Sequence, residues 1–424
     1  MLSFSKWVRD PLYGFIGLTE DEVRLLSAHP VQRLRRIKQL ANAHLVYPGA
    51  THTRFEHSLG VMHIAGRMAE HLQLGDAEIL TVRSAALLHD IGHGPYSHVF
   101  EEALTGICGK AISHEEITRM IIEIDETIHR VLGSRITDVL SMFNENGENI
   151  LNQIISGNLD ADKIDYLRRD SYHTGVAYGN FDLERILHTI HKKDDGKRSY
   201  LTMLKKGVDA LENFRLARFL MHSQVYHHHT RAVADRMFKR AMEIAIREDL
   251  ITRDSLNPKS PGFLENYLSL DDMRIMLRLM GDQKSNAFTL TSALENRDLF
   301  KRGYEVDVTH IPDPIFRMKI TQMKPDQFSK LEKTLAEECG CDPDFIMADI
   351  HNIENSLYKS SNDSILSDKT PFLIEEKDGT LHEIEKFSTL LPSKEPRILF
   401  YVFCPEQYRD IINNRTESII RENL

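Results

Sequence analysis

An adjacent histidine and aspartate, His89 and Asp90, end an apolar segment and constrain the fold of this chain more than any other feature. They stand in the sequence ALLHDIGHGPYSH (residues 86–98), which adds two more histidines, His93 and His98, among glycines and a proline. A neutral imidazole beside a carboxylate forms a mixed nitrogen and oxygen site that suits a divalent metal ion. An isolated histidine is more often a solvated or capping residue, but this pair and its loop favour a metal site. We therefore predict a helix that ends at the metal centre of a hydrolytic enzyme.

The composition is that of a globular protein with an acidic balance. The 424 residues are 41% hydrophobic and 27% charged, and no stretch approaches the ~18 uninterrupted apolar residues that a membrane span needs. The first residues lack the basic and then apolar layout of a signal peptide, so we expect a cytoplasmic protein with no membrane partner. The net charge of −10 makes nucleic acid an unexpected partner. It still permits a small anionic substrate, because local Arg and Lys side chains can build a positive pocket.

Hydrophobic spacing predicts a mainly α protein with a smaller C-terminal α/β lobe. A hairpin is expected in the first 20 residues and another around 194–196. Helices are predicted over 21–41, 55–73, 76–88, 159–172 and 207–248. After about residue 300 the pattern predicts strands at RGYEVDVTH, PFLIEE and RILFYVF and helices at DPDFIMADI and PEQYRDIINN. We therefore divide the chain into a core over 1–250, a helical extension over 251–300 and an α/β lobe over 301–424.

A bound metal ion needs more protein ligands than His89 and Asp90. His57, in TRFEHSLG, and Asp162, in LDADKIDYLRRD, each stand near the start of a predicted helix that could converge on the pair. Two histidines and two aspartates would leave an octahedral ion two open positions, enough for water and a phosphate oxygen. The alternative is that these residues are solvated or cap their helices.

Polar residues four apart share one face of the helix predicted near residue 160: Asp162, Tyr166 and Asp170. Lys163 stands beside this stripe and can reach an anionic substrate. Asp165 and Arg169 are also four apart, and the simpler interpretation of this pair is an exposed ion pair. By itself, such a stripe is more often an ordinary solvated face.

A second stripe follows in FRLARFLMHSQVYHHHTR: Arg218, His222 and Tyr226. Arginine offers forked contacts to phosphate, histidine a switchable donor, and tyrosine a stacking face with a hydroxyl. A solvated face beside a buried apolar stripe is an equally good interpretation of the spacing alone. The three histidines at 227–229 do not favour a metal site, because consecutive side chains point in different directions.

His114 is the best candidate for acid–base chemistry. Ser113 and Glu116 match a capping box, which places His114 in the first turn of a helix. The helix dipole opposes a protonated imidazole there, so a carboxylate neighbour is needed to keep it charged. Glu101 or Glu115 could supply that carboxylate. The alternative is a surface histidine on a capped helix.

Four segments together resemble the HD-domain phosphohydrolases: QRLRRIKQL (32–40), YPGATHTRFEHSLG (47–60), LLHDIGHGPYSH (87–98) and LDADKIDYLRRD (159–170). More narrowly, they are similar to the deoxynucleoside triphosphate triphosphohydrolases of vertebrates and bacteria. The resemblance extends over about residues 8–245 and implies an HD-domain helical core there. The motifs are long, which makes a chance match very improbable.

The resemblance implies a role for each matching residue. The implied metal ligands are His57, His89, Asp90 and Asp162. The implied catalytic group is His114, with Glu101 as its carboxylate partner, and His93 beside them. The implied substrate contacts are Gln39, Leu40, Arg54, His98, Lys163, Tyr166, Asp170, Arg218, His222 and Tyr226.

Three departures from the family pattern alter these expectations. The family usually has Asp where this chain has Glu101. The vertebrate enzyme has Gln at the position of His227, which predicts different contacts to the base. Ser27 replaces an Asp that helps to recognise a guanine activator, although Gln32 and Arg35 match. The sequence therefore leaves open whether a nucleotide effector binds, and we do not expect that effector to be a guanine nucleotide.

The residues and the resemblance converge on metal-dependent hydrolysis of deoxynucleoside triphosphates to a deoxynucleoside and inorganic triphosphate. The resemblance implies a divalent cofactor (Mn, Fe, Mg, Co, Ni or Zn) and a homo-oligomer, either a dimer or a tetramer. One alternative is another HD phosphohydrolase, acting on a nucleoside monophosphate, an alarmone or a cyclic dinucleotide. A second alternative is a regulatory module that binds nucleotides without turnover. The complete set of four ligands favours an enzyme.

Overall fold

Helices make up most of the protein, as the sequence predicts. The computed structural model describes residues 2–108, 112–143, 149–194, 196, 198–353, 372–388 and 397–423. None of the helices in this part of the chain has the length and hydrophobicity needed to cross a bilayer. The prediction of a mainly α core with a smaller α/β region at the C-terminal end is confirmed.

The first 180 residues form a hairpin followed by helices. The hairpin strands are β1 (Lys6–Asp10) and β2 (Gly14–Leu18). The helices are α1 (Glu20–Leu26), α2 (His29–Arg33), α3 (Arg54–His71), α4 (Asp76–Leu88), α5 (His98–Cys108), α6 (His114–Ile124), α7 (Glu126–Leu132), α8 (Ile136–Ser141), α9 (Ile150–Ile155) and α10 (Ala161–Thr174). The long helix α3 packs against both α4 and α10.

The remainder of the chain adds helices and two sheets. The helices are α11 (Leu183–Leu187), α12 (Val208–Met221), α13 (His229–Arg247), α14 (Phe263–Leu268), α15 (Asp272–Leu279), α16 (Asn286–Glu295), α17 (Pro314–Thr321), α18 (Pro325–Cys339) and α19 (Arg409–Asn423). The strands are β3 (Ile190–Asp194), β4 (Ser199–Leu204), β5 (Lys301–Asp307), β6 (Met347–Ile353), β7 (Leu373–Glu375), β8 (Leu381–Glu383) and β9 (Arg397–Cys404).

The two larger sheets connect distant parts of the chain. In one sheet β9 lies between β5 and β6, and both pairings are antiparallel. Helices α17, α18 and α19 cover this sheet through an apolar core of their own. The other sheet has the order β3-β4-β7-β8, and β7 pairs in parallel with β4. Residues 372–388 therefore return from the C-terminal region to the sheet of the core, and the domain boundaries at 250 and 300 stay predictions.

Two predicted helices, at 21–41 and at DPDFIMADI, are wrong in extent or in kind, and the helix predicted over 207–248 is interrupted after Met221. The helix predicted over 21–41 is divided into α1, α2 and a 3-10 turn, because Pro30 has no N–H to continue the hydrogen-bond ladder. The helix predicted at DPDFIMADI is a 3-10 turn followed by β6. Pairing of β6 with the apolar strand β9 overrides the local pattern there.

Candidate active site

Three helices bring the four predicted metal ligands to one point. His57 lies in the first turns of α3, His89 and Asp90 follow the last residue of α4, and Asp162 is the second residue of α10. Oδ1 of Asp162 lies 3.0 Å from Nε2 of His57 and 3.7 Å from Nε2 of His89. Oδ1 of Asp90 lies 3.1 Å from Nε2 of His89. The ligand atoms of His57, His89 and Asp90 all lie within 4.8 Å of one another, which suits a single small cation, and Asp162 adjoins this group through the two histidines.

The hydrogen bonds behind the two histidines leave their inner nitrogens available to a metal ion. Nδ1 of His57 is hydrogen bonded to Oδ2 of Asp165 at 2.8 Å, and Nδ1 of His89 to the carbonyl oxygen of Ala86 at 2.7 Å. Both oxygens only accept, so each Nδ1 carries a proton, and in the neutral form of each imidazole Nε2 presents a lone pair. Buried Nε2 of His89 finds no hydrogen-bond partner in the described part of the chain. Lone pairs that face carboxylate oxygens need a cation between them, so this donor set fits a divalent ion.

The electrostatics of the cluster also favour a positive charge. Burial opposes the imidazolium form of His57, yet hydrogen bonds with Asp162 and Asp165 raise its pKa to about 10. Burial likewise opposes the carboxylate form of Asp90, but His89 and Arg54 hold the pKa of Asp90 well below its usual range. A divalent ion would supply the positive charge that the proton on the imidazole supplies otherwise.

The four predicted ligands, His57, His89, Asp90 and Asp162, are called the metal cluster below. The loop that follows Asp90 is hydrogen bonded to α6, the helix that carries His114. The hydroxyl of Thr118 accepts a hydrogen bond from the N–H of Gly92 and donates one to the carbonyl of His89, both at 3.0 Å. A Cβ atom at Gly92 would lie 2.1 Å from the carbonyl oxygen of His114 and 2.4 Å from the nitrogen of Thr118. Only glycine permits this approach, so Gly92 sets the distance between the metal cluster and His114.

The same loop is braced on its other side by two buried side chains. The hydroxyl of Tyr267 donates to the carbonyl oxygen of Gly92 at 2.7 Å. Nη1 of Arg33 donates to the carbonyl oxygen of His93 at 2.8 Å, and its guanidinium lies 5.3 Å from the ring centre of Tyr267. Residues far apart in the chain therefore hold the backbone of the loop.

Glu101 contacts three histidines at one side of the metal cluster. Oε1 of Glu101 lies 3.0 Å from Nδ1 of His114 and 3.1 Å from Nδ1 of His93, and Oε2 is hydrogen bonded to Nδ1 of His98 at 3.3 Å. Burial opposes the charged form of His114, but the contact with Glu101 raises the pKa of His114. Burial and nearby Arg54 hold the pKa of His93 well below its usual range. The rings of His93 and His114 are stacked with their centres 3.8 Å apart, so Glu101 favours a proton on His114 while the stacked ring of His93 stays neutral.

A cavity of about 700 Å³ opens from the metal cluster. Every residue predicted to form the site lines this cavity except Glu101, which lies behind His93 and His114. Those residues are His57, His89, Asp90, Asp162, His93, His114, Gln39, Leu40, Arg54, His98, Lys163, Tyr166, Asp170, Arg218, His222 and Tyr226. The structure thus brings together residues that span almost 190 positions of the sequence, and the role of each stays a prediction.

Cationic side chains line the cavity beside the metal cluster. Nη1 of Arg54 donates to Oδ2 of Asp90 at 2.6 Å. Lys163 donates to Oδ2 of Asp160 at 2.7 Å, and Asp160 also caps α10. Carboxylates raise the pKa of Lys163 despite its burial, so its ammonium stays charged. The positive charge needed to bind an anionic substrate is present at this wall.

Aromatic and acidic side chains form the adjoining wall. The hydroxyl of Tyr226 donates to Oδ2 of Asp170 at 2.7 Å, and Oδ1 of Asp170 is hydrogen bonded to Nε2 of His52 at 2.7 Å. The ring centres of Tyr166 and Tyr226 are 6.0 Å apart at an angle of 70°. Burial first, and then the charge of nearby Arg218, lower the pKa of His222 to about 3, so it is neutral at physiological pH.

A π-helical turn over His222–Tyr226 interrupts the helix predicted at 207–248. π-Turns often occur at functional sites. After the turn, His227 lines the cavity, whereas His228 and His229 lie on a separate hollow that His227 also borders. Among the described residues, these three consecutive histidines are not part of a group whose ligand atoms converge on a metal ion.

The prediction of an exposed ion pair between Asp165 and Arg169 is wrong. Both residues are fully buried, because α10 presses this face against α3. Asp165 orients His57 from behind, and Arg169 holds Asp165 through two hydrogen bonds of 2.9 and 3.0 Å. The sequence signal was the i, i+3 spacing from Asp162, which places a second carboxylate beside the ligand-bearing face.

Part of the cavity wall lies outside the predicted site. Tyr200 and Leu201 of β4 contribute to it, together with Phe372 and Leu373. The last two residues reach the cavity through the parallel pairing of β7 with β4. No local pattern indicates a pairing between segments so far apart, so sequence analysis missed these residues.

The helical core and its histidine–aspartate cluster define a metal-dependent phosphohydrolase. Residues 54–170 match the HD domain, and residues 181–420 match the HD associated region. The chain belongs to the HD-domain phosphohydrolase family, which confirms the resemblance in the sequence.

Relatives resemble nearly the whole chain. An uncharacterized protein of Methanocaldococcus jannaschii is 36% identical over 421 residues, which cover 99% of this chain and 84% of that protein. The deoxynucleoside triphosphate triphosphohydrolase SAMHD1 of Homo sapiens is 28% identical over 94% of this chain and 70% of that protein. The crystal structure of a phosphohydrolase from Bacteroides thetaiotaomicron has a TM-score of 0.76 and 28% identity, covering 94% of this chain and 99% of the other.

Proposed function

We propose that this protein hydrolyses deoxynucleoside triphosphates to a deoxynucleoside and inorganic triphosphate. The observation that carries the proposal is one cavity that joins the metal cluster, a cationic wall and an aromatic wall. These three surfaces match the reacting phosphate, the triphosphate charge and the nucleoside of such a substrate. The similarity to a deoxynucleoside triphosphate triphosphohydrolase over 94% of the chain supports the same substrate class.

We assign the metal ion to His57, His89, Asp90 and Asp162. When bound, a divalent ion supplies a Lewis acid for phosphate oxygens and lowers the pKa of water. Arg54, Lys163 and Arg218 line the same cavity and would offset the charge of the triphosphate.

His114 has the properties of the general acid. In the proposed reaction, water adds to the α-phosphorus and the bond from that phosphorus to the 5′ oxygen breaks. His114 donates its proton to the departing 5′ oxygen, which completes the deoxynucleoside. The triphosphate keeps the hydroxyl group of the water, and the other proton of that water passes to solvent, from which His114 is reprotonated. Glu101 would then hold the imidazole in position and favour its protonated form.

The aromatic wall would bind the deoxynucleoside. Tyr166 and Tyr226 offer ring faces and hydroxyls, and Asp170 offers carboxylate oxygens to a sugar hydroxyl. We expect Tyr166 to crowd the sugar C2′ and so to disfavour ribonucleotides. We expect the residues around Gln39 and Leu40 to contact the base.

Product analysis tests this proposal. The protein is incubated with Mn²⁺ and each deoxynucleoside triphosphate, and the products are separated by ion-exchange chromatography. We expect one triphosphate per deoxynucleoside, with no product after chelation of the metal ion. Release of pyrophosphate or of single phosphates would refute the assigned bond cleavage.

A variant tests the metal assignment separately. Asp90→Ala removes a predicted ligand and should abolish turnover while the far-ultraviolet circular dichroism stays that of the folded protein. Intact activity in this variant would overturn the assignment of Asp90.

The homo-oligomer and the nucleotide effector stay predictions, which sedimentation with and without nucleotides would test.

A further inference from the structure

We propose that Asp10, Arg169 and Asp165 form a buried relay that positions His57 and strengthens metal binding. The relay makes the N-terminal hairpin, which precedes the matched HD domain, a part of the metal site. This inference rests on the metal site of the proposed function and not on its substrate. Asp10, Arg169 and Asp165 are positioning residues, since none of them would touch the ion and all three act through His57.

The first contact of the relay fixes the ligand. Oδ2 of Asp165 is hydrogen bonded to Nδ1 of His57 at 2.8 Å, so the opposite nitrogen faces the metal cluster. A carboxylate in this position sets the tautomer of a metal-binding histidine and makes it a stronger donor. Removing such partners typically weakens metal binding about 10- to 100-fold.

The second contact fixes the carboxylate. Arg169 donates from Nε to Oδ2 of Asp165 at 2.9 Å and from Nη2 to Oδ1 at 3.0 Å. This forked geometry holds the carboxylate plane as well as its position. Arg169 and Asp165 are both fully buried, so neither charge can be compensated by bulk water.

The third contact reaches the hairpin. Nη1 of Arg169 lies 2.9 Å from Oδ2 of Asp10, the last residue of β1. Oδ1 of Asp10 accepts hydrogen bonds from the N–H groups of Leu12 and Tyr13 at 2.8 and 3.1 Å. One oxygen of Asp10 therefore holds the hairpin turn, and the other holds the guanidinium.

The packing of α3 independently indicates that the buried ion pair of Asp165 and Arg169 belongs to this site. A Cβ atom at Gly60, three residues after His57, would lie 1.9 Å from Oδ1 of Asp165 and 2.5 Å from Nη2 of Arg169. The helix therefore carries glycine where the ion pair approaches its backbone. A solvated ion pair would not require this space.

The charges of the relay explain its effect on a cation. Two carboxylates and one guanidinium leave one net negative charge behind His57. Neutralising Asp10 would remove that charge and loosen the guanidinium that holds Asp165. Asp10 itself does not reach the metal site. We expect the loss of its charge to weaken metal binding because the imidazole of His57 would be held less firmly.

Metal binding without nucleotide tests the proposal. Metal-free protein is titrated with Co²⁺, and the dissociation constant is measured by competition with a chelator, with the visible cobalt spectrum as a second readout. Asp10→Asn keeps an oxygen for the hairpin turn and removes the charge. We expect its Co²⁺ binding to be about 10-fold weaker than that of the unaltered protein, with a changed spectrum. Arg169→Lys, which cannot make the forked contact, should weaken binding at least as much.

Glu22→Gln is the matched control. Glu22 is a buried carboxylate that pairs with Arg83 at 2.6 Å, and Arg83 donates to the carbonyl of Gly17 in the same hairpin. This variant should lower the melting temperature and leave the Co²⁺ dissociation constant within twofold. Equal Co²⁺ binding by Asp10→Asn and the unaltered protein would overturn the relay. Equal weakening by Glu22→Gln would also overturn it, since hairpin stability alone would then account for the effect.

The outcomes separate this inference from the proposed function. If the unaltered protein binds no Co²⁺, both the metal site and the relay are wrong. If it binds Co²⁺ tightly and Asp10→Asn binds equally well, the relay alone is wrong. If the relay is present but nucleotides are not hydrolysed, only the substrate assignment fails.

Discussion

Oε1 of Glu101 lies 3.0 Å from Nδ1 of His114, and His114 lines the cavity that begins at the metal cluster. The family resemblance predicts Glu101 as the carboxylate partner of His114, in a position where the family usually has an aspartate. The longer side chain of glutamate still reaches the imidazole, and it contacts His93 and His98 as well. His114 lies in the first turn of a helix, where the dipole disfavours a charged imidazole, and the contact with Glu101 favours that charged form.

Glu101→Gln should move the pH dependence of turnover. Burial opposes protonation of His114 and the contact with Glu101 raises its pKa, so neutralising residue 101 lowers that pKa. A general acid must be protonated, and activity falls as the pH rises through its pKa. The descending limb of kcat/KM should therefore shift to lower pH, with a loss of about 100-fold at the original optimum. A limb that stays in place would contradict the assignment of His114 as the acid.

Gly92→Ala should reduce turnover without removing the metal ligands. The added Cβ atom would lie 2.1 Å from the carbonyl oxygen of His114, so the start of α6 must move. A displacement of about 1 Å at a catalytic group can cost about 100-fold in rate. We would measure kcat and metal content together. Gly75→Ala is the control, because its Cβ atom would meet its nearest neighbour at an ordinary 3.4 Å, and it should leave kcat unchanged.

Tyr226→Phe should weaken substrate binding more than chemistry. The variant loses the hydroxyl that donates to Oδ2 of Asp170 at 2.7 Å, so the carboxylate keeps only its bond with His52. We expect KM to rise about 5- to 10-fold, since a hydrogen bond of this kind contributes about 1 kcal/mol. Steady-state kinetics with each deoxynucleoside triphosphate gives the two constants separately. The exposed Tyr172→Phe should change neither constant, and a large loss in kcat with constant KM for Tyr226→Phe would argue against a binding role.

Tyr267→Phe should destabilise the protein and slow the reaction. Its hydroxyl is the donor to the carbonyl oxygen of Gly92, and both groups are buried. An unpaired buried carbonyl costs about 1–3 kcal/mol. A lower melting temperature in scanning fluorimetry and a reduced kcat are expected together. A lower melting temperature with unaltered kcat would show that Tyr267 supports the fold and not the geometry of the loop.

The predicted residues that meet in the cavity carry local signals in the sequence. The histidine–aspartate pair, the capping box at Ser113 and the stripes at 162–170 and 218–226 each depend on neighbours within one or two turns. These patterns give element type and face, which is enough to predict that the side chains meet. Local patterns do not predict burial, because burial depends on what packs against a face of the helix. The prediction that Asp165 and Arg169 are exposed is wrong for this reason.

The sequence by itself determined the family, the helical core and many of the polar residues that line the cavity. Those features follow from motif identity and helical period, which are local properties of the chain. Only the tertiary structure decided that Asp165 lies behind His57, that Arg169 joins it to Asp10, and that residues 372–373 close the cavity wall. These relationships depend on the packing of α10 against α3 and on a strand pairing between distant segments. Long-range packing is a property of the whole chain, and no short stretch of sequence encodes it.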